Sequence, residues 1–199
     1  MQRIKTMFPS FKLSFIFAKL AREHGGKILH GGSIDLLTKD LGDALRRQKK
    51  VILDPDMNAL ETAYEALPII AEVKVLTMAV SRKLGMDTKG KSTVAVLEEI
   101  IQKTEERNSK AAKEIKNTLD WTREFFSQPE IQEILKADLI QIEKPGSWRD
   151  VKGMGRSVVQ GTQRIAQEAS RLQDFLKRAK QPNSGIDLPL PPQADGPSA

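Results

Sequence analysis

From Ser33 to Lys180 apolar residues return every three or four positions, a period that admits packed helices and little else. Ser33 suits a helix N-cap, and Ile34, Leu37, Leu41 and Leu45 follow it on one face. That stripe ends in Arg46, Arg47, Lys49 and Lys50, where cations favour a helix C-terminus. Asp54-Pro55 pairs a cap with a first-turn proline and predicts a helix through Leu60, Ala63, Tyr64 and Leu67, broken or kinked at Pro68. Val73, Leu76, Val80 and Leu84 continue to Gly85, a glycine placed where helices end. From Ser92 a long helix or a helix pair is predicted on Val94, Leu97, Ile101, Ala112, Ile115, Leu119 and Phe126, with a break near Asn108-Ser109. Pro129 opens a short helix with Ile131, Ile134 and Leu135 inward. Pro145-Gly146 is a turn, and the last helix is expected from about Ser157 to Lys180 on Val158, Ile165, Ala169, Leu172, Leu176 and Ala179. Its three imperfect heptads fit a coiled coil or packing on its own domain equally well.

The expected architecture is therefore mainly α, a bundle of six or seven helices over residues 33–180. A basic, Phe-rich segment and Gly-rich loop precede it at 1–32, and a disordered tail follows at 181–199, where five of the ten prolines fall. With 39% hydrophobic and 29% charged residues, the 199-residue chain has material for a modest core, and 5% aromatics make that core mainly aliphatic. The absence of cysteine excludes disulfide frameworks, thiolate metal sites and cysteine nucleophiles. Two histidines, His24 and His30, leave almost no material for a His-rich metal centre. Gly25-Gly26 and Gly31-Gly32 are expected to stop any helix, which makes His24 a helix C-terminal residue. The acids and bases from Glu98 to Lys113 alternate at helical spacing, the chemistry of an exposed face and not of a catalytic carboxylate pair.

The net charge of +6 is unevenly placed: +7 over residues 1–53, −4 over 54–147 and +3 over 148–199. From Met1 to Arg22 there are five bases and no acid, with four of the seven phenylalanines. The apolar run Leu13–Ala18 is too short for a secretory signal, and no stretch approaches the ~20 apolar residues that span a bilayer. On a helical wheel Lys12, Lys19 and Glu23 form a polar stripe, and Phe11, Phe15 and Ala18 face away from Leu13, Phe17 and Leu20. Three readings follow: a core element, a helix docking on an anionic membrane surface through Phe8, Phe11, Lys12, Phe15 and Lys19, or an organelle-targeting segment. Phe11, Leu13, Phe15 and Phe17 also alternate at period two, which keeps a strand open. Trp121 suits a core anchor; Trp148, beside Pro145-Gly146 and Arg149, is the better candidate for a partner contact.

Gly85-Met-Asp-Thr-Lys-Gly90-Lys91-Ser92 matches G-x-x-x-x-G-K-[ST]. In a P-loop Gly85 and Gly90 let backbone N–H groups curl round phosphates, Lys91 reaches them and Ser92 holds Mg²⁺, with ATP or GTP as cofactor. Leu139–Glu143 resembles the strand that would carry the second acid, and Val73–Val80 could be the strand that feeds the loop, but Ser81 to Leu84 intervene and continue the helical pattern from Pro68, so whether Pro68 to Leu84 is helix or strand decides this reading. Ala79, Leu84, Gly85, Met86, Ser92, Thr93, Val94 and Leu97 also resemble a helix-turn-helix, with a connection longer than the compact motif. In that case Lys89 and Lys91, with Arg46, Arg47, Lys49 and Lys50, are the candidate nucleic-acid contacts. The third reading is a plain helix–loop–helix connection.

The expected function is non-catalytic: a helical adaptor or assembly protein, cytoplasmic or membrane-peripheral. It touches an anionic membrane or nucleic acid through its basic N-terminal end and packs on a protein partner or a second copy through residues 92–180. A DNA-binding regulator and a P-loop nucleotide hydrolase are the alternatives.

Overall fold

The computed structural model describes residues 9–29, 32–105, 109–137, 139–140 and 151–181. Among them are seven α-helices and no strand: α1 (Pro9–Leu29), α2 (Ile34–Ile52), α3 (Ala59–Lys83), α4 (Thr93–Glu105), α5 (Ser109–Ser127), α6 (Pro129–Lys136) and α7 (Val151–Ala179). The mainly α bundle expected from the periodicity is the observed one. The proposed tail disorder, the Pro145-Gly146 turn and Trp148 lie outside the described residues.

Local chemistry explains most boundaries. The Ser33 hydroxyl accepts from the Leu36 N–H (3.2 Å), so α2 begins where its cap predicts. The start of α3 differs from expectation. Asp54 does not cap a helix there; its carboxylate accepts from the Asp56 N–H (2.9 Å) and closes a turn. Asn58 caps instead, accepting from the N–H groups of Leu60 and Glu61 (3.0 Å each) while Glu61 reaches back to the Asn58 N–H (3.2 Å). Asn58→Ala removes this reciprocal pair and is expected to lower the unfolding free energy by about 1 kcal/mol in a urea titration.

The stop expected at Gly25-Gly26 is absent, and of the two readings at Pro68, a break or a kink, the break is absent, both for tertiary reasons. Pro68 lies inside the single helix α3. Its neighbours from Ala66 to Val73 are all buried, and that burial outweighs the roughly 3 kcal/mol an interior proline costs. Gly25-Gly26 likewise does not end α1, which runs on to Leu29. The last turn is tied to α2 by Lys27 Nζ on Asp40 (2.6 Å). α7 begins six residues before the predicted Ser157, and the side chain of Val158 lies outside the described residues.

α3 is the central helix, packed against α1, α2, α4, α6 and α7. α2 and α3 form one helical hairpin, and α4 and α5 a second, braced by Arg123 on Glu98 and Lys116 on Glu105. Gly42 lets α2 sit close on α5, since a Cβ there would stand 3.3 Å from Glu114 Cβ. The core is mainly aliphatic; its aromatic members are Phe17 of α1 and the group Trp121, Phe125, Phe126 and Phe175 that joins α5 to α7. The stripe Ile165, Ala169, Leu172, Leu176 and Ala179 of α7 is buried within the chain's own core, so intramolecular packing accounts for its heptad rhythm. The Lys180 ammonium donates to the Met57 carbonyl (2.7 Å) and pins the end of α7 beside the start of α3.

Candidate functional site

α1 is a helix throughout its described length, which removes the strand alternative for Phe11–Phe17. Its two faces differ. Leu13, Phe17 and His24 recur at helical spacing and are buried, with Leu20 half-buried between them. Lys12, Phe15, Ala18, Lys19 and Arg22 occupy the opposite side and are exposed. Phe15 is 70% exposed, more than any other large apolar residue described. Glu23 is the acid on this side, 3.8 Å from Lys19, against three cations. α1 is thus a core element on one face and a cationic, aromatic surface on the other. Phe8 and the side chain of Phe11 lie outside the described residues.

The inner face is anchored by a polar cluster. His24 Nε2 lies 3.0 Å from Glu72 Oε1, and Arg47 Nη2 donates to both Glu72 oxygens (3.0 Å each). His24 and Glu72 are 4% and 5% exposed, whereas half of the Arg47 side chain reaches solvent. Burial pushes the Glu72 carboxyl upward; hydrogen bonds from His24 and Arg47, together with their charge, outweigh it and hold the group below the usual carboxylate range. An ionised Glu72 accepts, so His24 Nε2–H donates. His24 is therefore not the helix-terminal residue expected but the link between α1 and α3. Glu72 had a signal in the sequence: an acid inside the buried run Ala66–Val73 needs a cation.

The segment 85–92 is a connection between α3 and α4. Gly85 (φ 64°) and Gly90 (φ 74°) take the left-handed conformations that its two turns require. α3 remains helical through Lys83, so the strand that must feed a P-loop is absent here, and Leu139 and Ile140 form no strand. Gln141 to Glu143 lie outside the described residues. Lys91 Nζ pairs with Glu99 (2.6 Å), and the Ser92 hydroxyl accepts from the Ala95 N–H (3.2 Å) at the start of α4. The nine residues from Leu84 to Ser92 exceed the three or four of a helix-turn-helix, which corrects that resemblance. Lys89 is exposed on the connection. At the end of α2, Arg46 pairs with Asp43 (2.6 Å) and Arg47 with Glu72, Lys49 is half-buried, and Lys50 is exposed. Trp121 is buried in the core, stacked on Phe125. No group of three or more His, Asp or Glu residues suited to a metal ion occurs among the described residues.

Comparison of the chain with family models, curated proteins and solved structures finds no match.

Proposed function

We propose that the protein is a non-catalytic helical adaptor that presents the outer face of α1 to an anionic partner. The carrying observation is the division of α1: its inner face is fixed in the core, so Lys12, Phe15, Lys19 and Arg22 are held as one rigid, outward-facing group. A pre-ordered face loses little conformational entropy on binding. The residues of 92–180 act in this reading as the scaffold, with the stripe Ile165, Ala169, Leu172, Leu176 and Ala179 of α7 buried and α7 packed on both α3 and α1.

The test compares two charge-reversed variants of equal net charge. Lys12→Glu/Lys19→Glu/Arg22→Glu changes the α1 face, and Lys110→Glu/Lys113→Glu/Lys116→Glu changes exposed positions of α5. Affinity for heparin, a polyanion of no fixed shape, is expected to fall at least about tenfold in the first and little in the second. Equal losses would reduce the interaction to net charge and overturn the proposal.

A further inference from the structure

We infer, on the basis of the proposed α1 contact face, that its anionic partner is a lipid surface, on which α1 lies flat with the Phe15 ring below the head groups and Lys12 and Lys19 at the phosphates. The arrangement of charge and apolar surface carries this choice. Phe15 stands 70% exposed, three residues after Lys12, four before Lys19 and seven before Arg22, so the cations flank a projecting ring on one helix face. At a bilayer interface this pattern is complementary: the ring enters the acyl boundary, and the long lysine stems let the ammonium groups rise to the phosphates.

A nucleic-acid duplex uses the same face poorly. Its phosphates attract the lysines, but a phenyl ring gains only where bases are unstacked. In sequence, Phe11 and Phe8 stand four and seven positions before Phe15, and no acid occurs before Glu23. The contact is shallow. No described helix is long and apolar enough to cross a membrane, and Leu13, Phe17 and the His24–Glu72 bond keep the inner face of α1 in the core.

Flotation of the full chain with phosphatidylcholine vesicles, with and without phosphatidylserine, tests the assignment, with a short DNA duplex titrated in parallel at the same salt. Among the vesicles, binding is expected only to those that contain phosphatidylserine, and the duplex is expected to bind more weakly than they do. Phe15→Ser should weaken partitioning about tenfold, and Lys12→Glu/Lys19→Glu by at least about twentyfold. In a Trp148→Phe background, Phe15→Trp should be quenched by brominated acyl chains, while Trp121, 4% exposed in the core, should not. Flotation unaffected by Phe15→Ser overturns the inference. Binding to duplex but not to vesicles also overturns it, leaving the anionic-partner proposal standing. Binding to vesicles, duplex and heparin alike absent overturns both.

Discussion

Alanine in place of Glu72 is expected to lower the unfolding free energy by about 3 kcal/mol in urea at pH 7. The loss arises from what the carboxylate leaves behind. Among the described residues His24 Nδ1 has no hydrogen-bond partner and Nε2 rests on Glu72 alone, so the substitution strands a buried imidazole at both nitrogens. Arg47 is different: half its side chain already meets water, and it can rehydrate when Glu72 is removed. That keeps the cost at the lower end of the range for a broken buried pair. Glu72→Gln, which retains an acceptor for His24 and most of the volume, should cost less. In a double-mutant cycle, Glu72→Ala and His24→Ala should be non-additive by about 1–2 kcal/mol, because each removes the same contact. Additivity would show that the two residues act independently.

The same carboxyl makes an acid-side prediction whose sign is fixed. Its folded-state pKa lies below the usual value, so the unfolded chain binds protons more readily. The stabilisation is complete above the unfolded carboxylate pKa near 4.3 and is lost as pH falls through the depressed folded value. Between about pH 5 and about pH 3 the urea midpoint of the natural chain should therefore fall more steeply than that of Glu72→Gln. Parallel slopes would place the acid-sensitive group elsewhere.

The parts of this fold legible in the sequence are those whose signals are local. Ser33 before α2, Pro129 at the start of α6 and the stripes of α4 and α5 act within a turn or two of themselves, and their elements lie where those residues put them. Elsewhere distant packing overrules a local cue. Gly25-Gly26 and Pro68 both signal a stop, yet the first lies between His24 and Lys27, each bonded to another helix, and the second is enclosed by core. The polar cluster was illegible for a related reason: Glu72 announces the need for a partner, but its partners stand 48 and 25 residues away. For α1 the nearly continuous apolar wheel left its orientation open. Contact with α3 and α7 turns Leu13 and Phe17 inward, and Phe15 is exposed as the consequence.

Two phenylalanines separate what the fold needs from what the surface offers. Phe125 is fully buried, stacked on Trp121 at 5.0 Å and set edge-on to Phe175 at 6.3 Å, so one ring joins α5 to α7. Phe125→Ala removes that ring and leaves a cavity between two helices that both also pack on α6, where collapse would drag three elements. The expected loss is about 4 kcal/mol, read from urea denaturation, with a fall of roughly 8–16 °C in melting temperature for a chain of this size. Phe125→Leu refills most of the space and should cost well under half as much. Phe15→Ala removes the same ring from a position 70% exposed and should change stability by no more than about 0.5 kcal/mol. If Phe15→Ala approached the cost of Phe125→Ala, the ring would be part of the core and unavailable to a partner. A neutral Phe15 leaves a large apolar side chain held outward among cations with no task in the fold, which is the physical condition for a contact residue.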